Sequence, residues 1–146
     1  MVAVKELSNN NFEKVAKRRG HYLIQFSSPT CGPCKSMGPV MDKLATDNPD
    51  FPIYKVDTAL SPELAQHFGI RSVPTFHFCK KRAIVYTLNG ATPLGNLQFV
   101  INNLNDSYFL EHGEFKQPEP KKSYLFHGII AFVVVALVLA IAFIEG

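Results

Sequence analysis

The chain contains 146 residues, with 15 lysines and arginines against 12 aspartates and glutamates, and its formal net charge is +3. This length accommodates one domain of ordinary size, and the small, scattered basic excess argues against a nucleic-acid partner. Two short basic clusters, residues 18–19 and 80–82, are interpreted as solvated turns. Three cysteines are too few for a secreted disulfide framework, and charged residues interrupt residues 1–20, so we expect no signal peptide.

The first part of the chain alternates between strand and helix patterns. Residues 2–4 predict a short strand, and apolar residues at helical spacing from Phe12 predict a helix that ends at Gly20. Residues 21–26 are almost continuously apolar, which is typical of a central strand buried on both faces. A turn over residues 27–30 then leads to a pair of cysteines.

Cys31 and Cys34 are separated by two residues at the predicted start of a helix over 32–47, in which Pro39 predicts a kink. The peptide dipoles and free N–H groups at a helix start favour a thiolate. We therefore interpret Cys31 as a nucleophile and Cys34 as its resolving partner. A structural disulfide is the alternative, but closing so short a loop stabilises a fold little.

The remaining elements also alternate. Residues 52–57 predict a strand, and a short helix begins at Pro62. Residues 75–79 and 83–88 predict an antiparallel hairpin, because the connection between them is short. A last helix is predicted over about 93–110. This order of elements predicts an α/β fold with a mixed sheet and helices on both of its faces.

The C-terminal part has a different composition. Residues 112–123 contain prolines, lysines and glutamates and predict an exposed linker. Residues 124–144 contain no formally charged side chain, and as a helix they extend about 32 Å, enough for a hydrocarbon core of about 30 Å. Two lysines precede this stretch and only Glu145 is charged after it. The positive-inside rule then predicts a single-pass C-terminal membrane anchor, with residues 1–111 forming a domain on the cytosolic side.

Several motifs at coherent spacing resemble the thioredoxin family over roughly residues 1–108. In chain order they are Cys31-Gly32-Pro33-Cys34-Lys35, Pro39, Lys55-Val56-Asp57, Gly69-Ile70-Arg71-Ser72-Val73-Pro74-Thr75 and Gly90-Ala91. The resemblance implies a thioredoxin-like fold and a protein-disulfide reductase that works by dithiol–disulfide exchange, with no cofactor and no metal.

The resemblance also implies roles for individual residues. Cys31 would attack a substrate disulfide, and Cys34, the more buried thiol, would then release the reduced product. The peptide bond before Pro74 would be cis, which would leave the Val73 backbone to pair with an extended substrate. The further residues expected to support the site are Gly32, Pro33, Lys35 and Gln25, and those expected to contact substrate are Thr30, Val73, Pro74, Gly90 and Ala91.

The chain departs from the family pattern at three places. Gln25 stands where family members usually carry a buried aspartate, and because an amide cannot accept a proton, Cys34 would lose its proton to water or another group. This substitution is either a satisfied buried amide that changes the rate but not the outcome, or one that shifts the reduction potential or alters a substrate step. Thr30 replaces the usual tryptophan, which makes the groove rim smaller and more polar. The usual Asn-Gly turn of the hairpin is replaced by Lys81 and Arg82.

His77 and Cys79 share one face of a predicted strand. A histidine and a cysteine near a cysteine pair raise the question of a zinc site. Ordinary packing is the favoured interpretation, because alternation along the strand places the two side chains several residues from the pair.

Two functions remain open at this point. The first is a membrane-anchored reductase of membrane-associated protein disulfides, with a thioredoxin reductase as a typical electron donor and the lipid bilayer as a partner through residues 124–144. The second is a non-catalytic adaptor or chaperone that binds extended segments in the groove, and Cys31→Ser distinguishes the two. An oxidative role across a membrane would need an export signal, which the sequence does not show.

Overall fold

The computed structural model describes residues 4–116, 130 and 132–134, and the chain divides into two compact units, Met1–Phe115 and Lys116–Gly146. Residues 130 and 132–134 of the second unit are helical. The elements of the first unit are β1 (Lys5–Glu6), α1 (Phe12–Ala16), β2 (His21–Ser27), α2 (Gly32–Ser36), α3 (Gly38–Asp47), β3 (Ile53–Asp57), α4 (Pro62–His67), β4 (Thr75–Lys80), β5 (Ala83–Asn89), α5 (Leu94–Asn103) and α6 (Ser107–His112).

The five strands form one mixed sheet in the order β1-β3-β2-β4-β5. Strands β1, β3 and β2 are parallel, whereas β4 runs antiparallel to β2 and β5 antiparallel to β4. Every residue of β2 after His21 is buried, which explains its continuous apolar pattern. The predicted mixed α/β sheet is confirmed.

Helices cover both faces of this sheet, because the alternating side chains of β2 enter two different cores. On one face Ile24 and Phe26 pack with residues of α1 and α4, such as Val15 and Leu64. On the other face, β2 contributes Leu23 to a core with α3 and α5, whose members include Met41, Leu44, Leu97 and Val100.

The helix predicted over residues 32–47 is in fact two helices. Helix α2 ends at Ser36 and α3 begins at Gly38, with Met37 between them. Pro39 lies in the first turn of α3, where its missing N–H would have no intrahelical partner in any case. The proline therefore starts a second helix instead of kinking a continuous one.

Other predicted boundaries also differ. The first strand is Lys5–Glu6, not residues 2–4, of which 2 and 3 are outside the described part. Helix α1 ends at Ala16, before Gly20. The helix predicted over 93–110 is divided, because the Asp106 carboxylate accepts the N–H groups of Tyr108 and Phe109 and so starts α6 separately.

The C-terminal predictions meet the structure only in part. Helix α6 continues to His112, and the ring of Phe115 stacks on that of Phe109 at 4.5 Å, within the first unit. The anchor predicted over 124–144 lies outside the described residues except for positions 130 and 132–134. Within the part of the chain that is described, no helix combines the length and apolar character needed to cross a membrane.

Candidate redox site

The cysteine pair lies where the chain passes from the end of β2 into α2. A turn closed by the Cys31 N–H, which donates to the Ser28 carbonyl at 3.2 Å, brings Cys31 to the N-cap position of α2. Cys31 and Cys34 form a disulfide, with their Cα atoms 5.2 Å apart. The structure is therefore that of the oxidised form.

The two cysteines have different surroundings. Cys31 is partly exposed, and its sulfur accepts the backbone N–H of Cys34 at 3.1 Å. Cys34 is only 8% exposed. A sulfur that accepts a backbone N–H is better stabilised as a thiolate, and access from solvent allows it to meet a second disulfide. This asymmetry gives Cys31 the properties of a thiol that attacks an external disulfide. It gives Cys34 the properties of a buried thiol that reacts within the molecule.

The loop before β4 faces the pair. The peptide bond between Val73 and Pro74 is cis, and the Val73 carbonyl oxygen lies 3.6 Å from the Cys31 sulfur. The Pro74 carbonyl accepts the N–H of Gly90 at 2.8 Å. Gly90 has φ +78°, a conformation that favours glycine, and exposed Ala91 follows it. Tertiary contacts thus connect Cys31 to residues about forty and sixty positions further along the chain.

The remaining predicted site residues lie at the rim. Gly32 and Pro33 are exposed in the first turn of α2, and Lys35 is exposed after the pair. Thr30 is exposed, and its hydroxyl lies 3.1 Å from that of Ser28. A small polar rim therefore precedes Cys31, as the sequence predicts.

Gln25 is buried, with 2% of its surface exposed, and shares a face of β2 with Ser27. In the sheet register, Gln25 lies beside Lys55 and Ser27 beside Asp57. This face of the two strands borders a cavity of about 210 Å³ next to Cys34, lined by Ser27, Ser28, Pro29, Cys34, Lys35, Lys55 and Asp57.

Asp57 supplies the carboxylate of this cavity. Its Oδ1 atom accepts the N–H of Ala59 at 2.8 Å, which holds the side chain at the end of β3. Asp57 was not among the residues predicted for the site. A usable signal was present, because Ser27 and Asp57 end neighbouring parallel strands, whose carboxyl ends lie at one edge of a sheet.

His77 and Cys79 belong to the opposite face of the sheet. The His77 ring packs against Phe26 and Phe68 at 5.3 and 5.7 Å, and its buried Nδ1 has no hydrogen-bond partner among the residues that the structure describes. Burial lowers the pKa of His77 and raises the pKa of the Cys79 thiol to about 12. Residues 4–116, 130 and 132–134 contain no cluster of three histidine, cysteine or acidic side chains that could hold a metal.

Comparisons with known proteins agree with this geometry. The family model described as thioredoxin matches residues 3–103. A putative thioredoxin 2 of Streptomyces coelicolor is 43% identical over 101 residues, which cover 69% of this chain and 75% of that protein. A thioredoxin of Pyropia yezoensis is 31% identical over 103 residues, covering 69% of this chain and 96% of the relative.

Solved structures show the same likeness. A crystal structure of Malassezia sympodialis thioredoxin has a TM-score of 0.65 at 34% identity and covers 70% of this chain and 91% of that chain. A chain from a study of thiol resolution in a yeast mitochondrial 1-Cys peroxiredoxin through glutathione and thioredoxin systems has a TM-score of 0.62 at 28% identity. That likeness covers 68% of this chain and 95% of that chain.

Proposed function

Because the chain belongs to the thioredoxin family, we propose that Cys31 and Cys34 are the attacking and resolving thiols of a protein-disulfide reductase that is held at a membrane. The reductase activity itself follows from the family match and the cysteine pair in the active-site position. The observation that carries the assignment of roles is the asymmetry of the pair, in which Cys31 is partly exposed and Cys34 is buried.

In the reduced form, the Cys31 thiolate attacks one sulfur of a substrate disulfide. A mixed disulfide forms, and the other substrate sulfur leaves as a thiolate. Cys34 then loses its proton and attacks the Cys31 sulfur, which forms the intramolecular disulfide and releases the second substrate thiol. Two electrons pass to the substrate, and an upstream dithiol donor, typically a thioredoxin reductase, restores the pair. An extended substrate segment lies along Val73, Pro74 and Gly90, with Thr30 and Ala91 at the rim.

Gln25 cannot take the proton from Cys34, so another group must do so. Asp57 lines the same cavity as Cys34, and a cavity of about 210 Å³ has room for several water molecules between polar groups. We assign Asp57 as the acceptor, with a water carrying the proton from the thiol to its carboxylate. Lys55 lines the same cavity.

The test separates the two chemical steps in the full-length protein. With Cys34→Ser, a mixed disulfide on Cys31 should accumulate with a model disulfide substrate, and mass spectrometry identifies the attached thiol. With Asp57→Asn, formation of the mixed disulfide should keep its rate, whereas its resolution should slow by about tenfold or more near neutral pH. Asp50→Asn, an exposed carboxylate outside this cavity, is the matched control. Equal resolution rates in the two asparagine variants would remove Asp57 from the mechanism.

The membrane attachment is supported by composition alone. The uncharged stretch 124–144 is long enough to span a bilayer, and Lys121 and Lys122 precede it. We propose that it anchors the reductase as a single-pass protein with the thioredoxin domain on the cytosolic side, joined through residues 116–123, the part of the predicted linker 112–123 that follows the first unit. A tether of this kind raises the effective concentration of the thiols for disulfides of membrane-associated proteins, which we propose as its substrates.

Alkaline extraction of membranes tests this attachment. The full-length protein should stay with the membrane pellet, and a chain that ends after Lys122 should be released while keeping its rate of insulin disulfide reduction. Protease should digest the reductase domain in sealed vesicles whose cytosolic face is outward. A truncated chain that still remained in the pellet would contradict anchoring by residues 124–144.

A further inference from the structure

The two basic clusters of the sequence meet at one end of the sheet. Residues 17–20 connect α1 to β2, and residues 81–82 connect β4, which ends at Lys80, to β5. The strand register places His21 opposite Lys80, so the two connections are neighbours although about sixty residues separate them. We call this surface the basic end and define it by Lys17, Arg18, Arg19, Lys80, Lys81 and Arg82.

These side chains form one continuous exposed surface. All six residues are exposed, and they line two adjoining clefts of about 410 and 490 Å³ that share Lys80. Within residues 4–116, Arg82 alone of these six residues forms an ion pair, and its partner is the Glu13 carboxylate. Asp50 lines one of the clefts as a second carboxylate.

The charge of the protein is concentrated here. Six cations against Glu13 and Asp50 leave a surplus of four positive charges, whereas the whole chain has a formal net charge of +3. The rest of the chain is therefore close to neutral. Such an asymmetric distribution directs the domain towards an anionic surface by this one end.

The basic end is remote from the thiols. Strand β2 begins at His21 beside the basic end and finishes at Ser27, just before the turn that leads to Cys31. Seven strand residues span roughly 20 Å. A surface bound at the basic end therefore leaves the cysteine pair and the Val73 loop open to substrates.

We propose that the basic end binds the anionic lipid headgroups of the membrane in which the chain is anchored. This inference rests on the proposed membrane attachment. The cations lie in two exposed connections and at the adjoining end of β4 and are spread over a surface, an arrangement suited to a planar array of phosphates and carboxylates. Bound in this way, the domain presents its thiols away from the bilayer, towards cytosolic segments of membrane-associated proteins.

The test is lysine footprinting of the full-length protein with an acylating reagent, read by mass spectrometry. In vesicles that contain phosphatidylserine, labelling of Lys17 and Lys80 should fall about threefold or more relative to phosphatidylcholine vesicles, and about 0.5 M NaCl should restore it. Lys35, beside the cysteine pair, is the internal reference and should be labelled equally in both. Equal labelling of Lys17 and Lys80 in both vesicles would overturn the proposal.

Two charge-matched variants locate the effect. Arg18→Gln with Lys81→Gln should abolish the protection of Lys80, whereas Lys5→Gln with Lys43→Gln, which removes the same charge elsewhere, should preserve it. Loss of protection in both pairs would indicate attraction by net charge alone and would contradict a localised site.

Flotation with phosphatidylcholine vesicles, which carry no net charge, measures membrane attachment through residues 124–144 independently of the basic end. If the protein floats but its lysines are not protected, the result contradicts lipid binding by the basic end and leaves the membrane anchor supported. Protein that does not float, yet is protected by added phosphatidylserine vesicles, contradicts the anchor and supports the basic end.

Discussion

The two faces of the central sheet give their cysteines opposite properties. On one face, Cys31 begins a helix, is partly exposed and receives a backbone N–H, while Cys34 borders a polar cavity. On the other face, Cys79 is fully buried among aromatic and aliphatic side chains, and its thiol is held in the protonated form. The comparison shows that the position in the fold, and not the thiol itself, determines where redox chemistry is possible.

The largest expected difference between the two faces is in turnover. Cys31→Ser should abolish reduction of insulin disulfides, because a hydroxyl cannot form the mixed disulfide. Cys79→Ala should keep turnover within about twofold, since Cys79 is not in contact with the redox site. Insulin reduction by the two purified variants at equal concentration measures this. Residual turnover in Cys31→Ser would mean that another group attacks the substrate.

The second difference is in alkylation of the reduced, folded protein. A thiol with a pKa of about 12 carries about a thousandfold less thiolate near pH 8 than an ordinary thiol, and burial of Cys79 excludes the reagent as well. We expect iodoacetamide to modify Cys31 at least about a thousandfold faster than Cys79. Mass spectrometry over time gives both rates, and a denatured sample is the control in which Cys79 must react. Comparable rates in the folded protein would contradict the burial of Cys79.

A third difference concerns pH and stability. His77 lies on the face of Cys79, and burial lowers its pKa in the folded state, so the unfolded chain binds the extra proton first on acidification. The free energy of unfolding should therefore fall by up to about 1.4 kcal/mol per pH unit below about pH 6.5, until the pH passes the lowered pKa of folded His77.

Substitution of His77 by leucine should remove this part of the acid sensitivity, as urea denaturation at pH 7 and pH 5 would measure. The pKa of His21 is also lowered, by burial and by the nearby Lys80 charge, but His21 is present in both proteins and cancels in the comparison. Identical pH dependences in the two proteins would show that His77 contributes nothing.

The smallest expected effect is in the hairpin turn that adjoins Cys79. Lys81 has a positive φ of 56°, and its carbonyl accepts the Tyr22 hydroxyl. Lys81→Gly should stabilise the protein by about 0.5 kcal/mol, because glycine adopts this conformation without the steric cost of a side chain. Lys80→Gly, in the adjacent strand, should instead destabilise it by about 0.5–1 kcal/mol. Thermal unfolding of the two variants compares them directly.

Local patterns were sufficient for most of the elements. The continuous apolar run of β2, the serine before α4 with the proline that begins it, and the short connection between β4 and β5 each have one favoured local structure. The errors occurred where a local signal has two outcomes. Pro39 can kink a helix or start one, and the Asp106 carboxylate divided a helix whose apolar spacing appeared continuous in the sequence.

The sequence by itself determined the cysteine pair and most of the strands and helices, because these depend on spacing over a few residues, and it determined the family through several short motifs along the chain. Only the tertiary structure placed Asp57 in the cavity of Cys34, brought residues 17–19 beside residues 80–82, and assigned Cys79 to the opposite face. Each of these depends on which strands are neighbours and in which register. Strand pairing is fixed by burial of both sheet faces at once, a property of the whole domain that no short segment contains.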